Sequence, residues 1–405
     1  MSISTWFVNR FFSATVAVCL VFTAFAGLMS CTSLGDTTES NSTLTANEIY
    51  VGAIPDWEAL QIALPKATSA SAKLMAEDGD ADAETGETEE EIEIADIAPD
   101  DPDIETPDSR LATFYYMALS NAEDWAKLAK IIFNPAVAVA GLPPTSVTGS
   151  KHIWELKNPV VKDSVIVPRL SILNNGPESY DIQFEIVPMS TENASGDYYR
   201  VFWMGDMSCD PEIAGRGTGT FAVNFTAAHA IEPQYTATGV LNLFFNNTSN
   251  SVQTLQADYR QFTATQEAGS EPFSWVTNYE LDEEGTGYYA FVEKLNWSRL
   301  SDKPEIFSVV IKWQADGIGQ ALVTITGEDL TAQGLDNVEL HECWSAQAIQ
   351  SYYTQINNWS EKEATESSEV KGSISNCVFD FEDLATKFSG EEDSDGDTDG
   401  DVDAI

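Results

Sequence analysis

The chain has 405 residues, 65 acidic against 20 basic, for a formal net charge of −45. With no basic patch to follow a phosphate backbone, a nucleic-acid partner is not expected. A hydrophobic fraction of 43%, with 11% aromatic residues, is ample for one large core or two ordinary ones.

Arg10 is the only charged side chain before residue 31, and Phe11 to Ser30 carry none. A short positive start, an apolar core and small residues at the exit form a secretory signal peptide. It closes on Leu28-Met29-Ser30-Cys31, which resembles the lipobox of bacterial lipoproteins, although Met29 is bulkier than the usual residue two before the cysteine. The resemblance implies cleavage before Cys31, a diacylglycerol thioether on its sulfur and acylation of its new α-amine. Residues 1–30 are then signal peptide. An uncleaved membrane anchor is the competing reading, since about 20 apolar residues can span a bilayer. Polar residues from Thr32 onward and scarce flanking charge favour the lipoprotein. Each buried lipid CH₂ is worth about 0.8 kcal/mol, and two or more chains hold a protein stably. Thr32 stands where an Asp would signal inner-membrane retention in enteric-type bacteria, so the expected address is the outer membrane, on either face.

Residues 31–47 are Ser/Thr-rich and read as a flexible tether. Residues 48–76 hold scattered apolar side chains, including Trp57 and Leu60, and suit a short helix. Residues 77–108 contain 16 acids and no Lys or Arg, and read as a disordered insertion. Asp108-Ser109 are good N-caps for a helix whose apolar stripe runs through Leu111, Phe114, Tyr115, Ala118, Leu119, Trp125, Leu128, Ile131 and Ile132. Asn134-Pro135 is expected to end it, within a helix-and-connection segment at 109–150.

From Lys151 the period changes to alternation, which defines a β domain over 151–385. Tyr180, Ile182, Phe184 and Ile186 alternate with polar residues, and Phe221, Val223 and Phe225 alternate with Ala222 and Asn224; Leu241, Leu243 and Phe245 continue the pattern, as do Val309, Ile311 and Trp313. The expected fold is mainly β: an antiparallel barrel-like or curled sheet of about 10–12 strands between Ser164 and Phe381. One or two helices pack on it, the second near Ser345–Asn357. Gly217-Thr-Gly219, Gly285-Thr-Gly287 and Gly317-Ile-Gly319 each precede an alternating strand and read as turn punctuation, not phosphate loops. Residues 386–405 form an acidic tail.

Leu142-Pro143-Pro144-Thr145, Trp154, Gly215-Arg216-Gly217, Trp313 with Gly317, Gly319 and Ala321, Glu342-Cys343-Trp344, Tyr352-Tyr353 and Cys377 resemble a group of uncharacterised lipoproteins of myxobacteria and related deltaproteobacteria. The resemblance covers about 110–380. It implies one β unit that closes near the Glu-Cys-Trp segment, and no activity.

Once Cys19 and Cys31 are set aside, Cys209, Cys343 and Cys377 remain for an oxidising compartment. One disulfide and one leftover thiol are expected, with Cys343–Cys377 the favoured pair; small buried hydrophobes are the alternative role for all three. Nothing calls for a cofactor, and a metal site is not expected without paired Cys-x-x-Cys spacings. Asp395, Asp397 and Asp399 match the first positions of a calcium loop, but its closing bidentate ligand is missing, which leaves a solvated tail or weak calcium association. His152, His229 and His341 are far apart in sequence, and His341-Glu342 lacks a second His for a zinc motif. Trp203, Trp297 and Trp313 are expected in the core. The expected role is therefore a lipid-anchored envelope protein with a non-enzymatic structural or interaction function. A barrel binding a hydrophobic or glycan ligand is the alternative, and an envelope hydrolase ranks third.

Overall fold

A computed structural model of the chain describes residues 50–67, 111–155, 166–188, 200–210, 216–231, 236–248, 252–263, 272–298, 300–301, 303–360 and 366–388. The expected signal peptide at 1–30, Cys31, the expected tether, the 77–108 segment, Asp108-Ser109 and the tail aspartates Asp395, Asp397 and Asp399 lie outside them. The fold is mainly β and antiparallel. It divides into two compact units, one chiefly Phe7–Ile62 and Glu123–Glu283, the other chiefly Ala63–Ala122 and Glu284–Asp397. The first helix, α1 (Thr113–Ala140), contributes residues to each.

Among the described residues the first unit holds nine strands: β1 (Ser146–Thr148), β2 (Lys151–Glu155), β3 (Ile166–Gly176), β4 (Ser179–Pro188), β5 (Arg200–Cys209), β6 (Gly217–Asn224), β7 (Thr238–Asn246), β8 (Gln253–Thr263) and β9 (Phe273–Leu281). Each pairs antiparallel with the next. Among the described residues β1 and β9 do not pair, so this sheet is open, not a closed barrel. Tyr180, Ile182, Phe184 and Ile186 are all buried, as their alternation requires. Phe221 and Val223 follow the pattern, but Phe225 instead starts α2 (Phe225–Ile231). There the Asn224 side chain accepts from the Ala227 amide at 2.9 Å, a cap that stops the strand.

The apolar face of this sheet is covered by its share of α1. The Phe133 ring lies 5.4 Å from both Trp203 and Phe221, and the Trp203 indole N–H donates to the Ile132 carbonyl at 3.1 Å. Trp125 likewise donates to Leu60 O at 2.7 Å. Large aromatics so buried contribute most of a core's apolar area, and each indole needs its acceptor. The expected stop at Pro135 is a correction: the helix continues to Ala140 with the proline inside. Proline removes one helical donor, but burial of Ala136, Val139 and Ala140 beyond it outweighs that loss.

Among the described residues the second unit holds six strands: β10 (Gly287–Leu295), β11 (Glu305–Trp313), β12 (Gly319–Thr326), β13 (Leu335–Trp344), β14 (Gln350–Trp359) and β15 (Glu366–Gly372). They too pair in sequence order, and this sheet is also open. β3 to β15 make thirteen strands in the span where ten to twelve were expected. The short helix α3 (Glu328–Ala332) joins β12 to β13. The helix expected near Ser345–Asn357 is overturned. Ser345–Ile349 is a turn closed by the Ala348 amide on Ser345 O at 2.8 Å, and β14 follows it. Gln350, Tyr352 and Thr354 are buried in alternation between two neighbouring strands, a period that no helix face can offer.

β11 buries both faces, because Val309 and Ile311 point one way while Val310 joins Tyr288, Ala290 and Leu322 beneath Leu384 of α4 (Phe381–Phe388). The disulfide Cys343–Cys377, Cα–Cα 5.4 Å, fastens β13 to the segment that leads into α4. It is the pair the sequence favours. Cys209 is buried at the end of β5, its sulfur 3.8 Å from the Gly52 carbonyl oxygen.

Candidate functional site

In β5 to β9 the side chains that alternate with the core positions face solvent, and the register aligns them in rows across five strands. One row reads Asp206, Thr220, Phe244, Gln256 and Asn278. The next reads Ser208, Thr218, Asn246, Thr254 and Glu280. Strands lie about 4.8 Å apart, so such a row is about 19 Å long. Between these rows lies a groove of about 420 Å³, a size typical of small-molecule sites.

Phe244 stands in the middle of the first row and is 45% exposed, while its chain neighbours Leu243 and Phe245 are buried on the opposite face. Thr220 donates its hydroxyl to the Asp206 carboxylate. The Asn246 side-chain oxygen accepts from the Thr248 amide at 3.1 Å and hydroxyl at 2.8 Å, which orients Asn246 from the loop beyond β7. Asp206 and Glu280 give the lining its charge, and no Lys or Arg belongs to it. The site therefore offers one aromatic face, several amides and hydroxyls, and a negative field.

The histidines go elsewhere, and none lines the groove. His152 Nε2 is 3.0 Å from the Tyr50 hydroxyl, whose pKa burial raises. His229 sits on α2. His341 stacks on Phe381 with ring centroids 4.2 Å apart and lies 3.7 Å from the Glu339 carboxylate. The proximity of His341 holds that carboxyl below its ordinary range. The adjacent pair His341-Glu342 is split across the strand. Glu342 is fully buried and accepts from the Thr113 and Phe114 amides at 2.9 and 2.8 Å. It thereby caps α1, for which the sequence offered Asp108-Ser109. Gln350 Nε2 donates to the same carboxylate at 2.5 Å.

Most motifs singled out in the sequence hold the fold. Trp154 donates to Leu142 O at 2.6 Å and so anchors the Leu-Pro-Pro turn. Gly217 N donates to Asn247 Oδ1 at 2.6 Å. Trp203 and Trp313 are buried as expected, but Trp297 is 39% exposed, because it lies in the loop after β10 with its amide tied to Glu305 at 2.7 Å. Among the described residues no group of three or more His, Cys, Asp or Glu is placed to hold a metal ion. The groove itself was missed in the sequence. Its signal was there as the polar half of each alternating strand, but the rows exist only once the register is known.

Fold and groove together define the class: an antiparallel, mainly β protein with a polar groove on one solvent face. No protein-family model matches the chain, and no curated protein or solved structure matches it either.

Proposed function

We propose that the chain is an exported envelope protein held on a membrane by lipid at Cys31, with a β region that serves a structural or interaction role without catalysis. The run Leu28-Met29-Ser30-Cys31 at the end of an uncharged apolar stretch carries this reading. Thr32 supports the outer membrane as the address. The groove on β5 to β9 favours ligand binding as the form of that role, on the solvent face of an open sheet and not inside a barrel.

Cys31→Ser tests the anchor. Fractionation of the producing cells should find the variant unprocessed or released in soluble form, without the acyl mass of the parent. Unchanged membrane partitioning together with an unchanged acylated mass would remove the basis for the reading.

A further inference from the structure

We infer that the groove on β5 to β9 binds a neutral oligosaccharide. The inference rests on the reading of this face as the binding surface of an envelope protein, and it names the ligand class. Phe244 presents a bare ring in the middle of a row whose other members are all polar. The C–H face of a pyranose ring covers such an aromatic, while its equatorial hydroxyls project sideways to groups in the same plane. Those groups are in place: Thr220 and Asp206 on one side of Phe244, Gln256 and Asn278 on the other. They lie one and two strand spacings away, about 4.8 and 9.6 Å.

Three alternatives fit less well. An anionic ligand would meet Asp206 and Glu280 with no cation in the lining to receive it. A lipid chain would need a continuous apolar wall, yet Phe245, Leu255 and Tyr279 are buried, leaving Phe244 as the exposed aromatic of the groove. A protein partner would need a contiguous central apolar patch, whereas Met204 and Val276, the other large apolar side chains exposed on this face, stand apart from Phe244 on β5 and β9. A row about 19 Å long also exceeds one sugar ring, so a short chain fits better than a monosaccharide. The frame is a five-strand ladder, which holds these side chains in register before any ligand arrives and keeps the ordering cost low.

The test is titration calorimetry and saturation-transfer NMR on the full-length protein in a detergent without a sugar headgroup. The probes are the tetrasaccharides of β-1,4-linked N-acetylglucosamine and of β-1,4-linked glucose, with tetragalacturonate as the anionic control. At least one neutral tetrasaccharide should bind and tetragalacturonate should not. Phe244→Ala should weaken binding about tenfold or more, with Phe244→Tyr retaining it and the thermal midpoint of both variants close to the parent's. Failure of both neutral probes to bind, or equal binding by Phe244→Ala, overturns the assignment. The acylated mass of the same sample is read in parallel. An acylated protein that ignores saccharides loses this ligand and keeps its anchor, whereas a saccharide binder without acyl mass does the reverse.

Discussion

The indole of Trp344 lies against Gly319 on the adjacent strand, 2.6 Å from where a Cβ at that glycine would stand. Gly319 and Trp344 are direct cross-strand partners. The same relation joins Gly287 to Trp313 and Gly219 to Phe245. In each Gly-x-Gly motif the second glycine is thus a seat for an aromatic ring, and only Gly285 and Gly317, at positive φ, are turn residues. Gly319→Ala should therefore destabilise by about 1–3 kcal/mol through overpacking. Trp344→Ala, which empties the seat, should cost about 3–5 kcal/mol. Urea unfolding of both variants measures this, and a neutral Gly319→Ala would contradict it.

Glu342 caps α1 from β13, far along the chain. Glu342→Ala leaves the Thr113 and Phe114 amides and the Gln350 amide without their acceptor, at a cost of about 2–4 kcal/mol. Glu342→Gln retains an acceptor oxygen near the helix N-terminus but loses the charge that the helix dipole favours, so it should cost less. Denaturant midpoints that rank Ala above Gln in damage support the cap, and equal stability of all three proteins would not.

The Cys343–Cys377 bridge closes a 34-residue separation, for which loop closure predicts about 3–4 kcal/mol. Cys377→Ser should lower the unfolding midpoint and loosen α4 from the Tyr288, Val310 and Leu322 cluster. Limited proteolysis should then cut near 373–388 before it cuts elsewhere. A cleavage pattern indistinguishable from the parent's would show that the helix holds by packing alone.

Asp329 accepts from the Ser301 amide at 2.9 Å and from the Ser301 and Ser298 hydroxyls. These bonds, the Ser301 hydroxyl foremost, hold its pKa below the ordinary carboxylate value. A depressed folded-state pKa adds stability that is fully present above the unfolded value of about 3.9 and is lost as pH falls through the folded one. Asp329→Asn should thus narrow the gap between neutral and acid stability. Thermal midpoints from pH 2 to 7 that fall equally in both proteins would count against this.

Alternation made much of the fold readable in advance. Tyr180 to Ile186 and Leu241 to Phe245 mark their strands and their buried faces without outside help, because period two has one solution. Long-range packing decided the rest. Pro135 stops a helix locally, but Ala136, Val139 and Ala140 find a core beyond it. Ser345–Asn357 lacks a local breaker of helix, and it is the ladders on either side that make Gln350–Trp359 a strand. The groove was least legible. Asp206, Phe244 and Asn278 are widely separated in sequence, and only the registers of β5 to β9 set them in one row.

Peptide mapping of the membrane-extracted protein under non-reducing conditions reads the proposed lipid at Cys31 directly. The N-terminal peptide should begin at Cys31 and carry a diacylglyceryl thioether and an N-acyl chain. A peptide that begins upstream of Cys31, or one in which Cys31 is linked to Cys209, would contradict it.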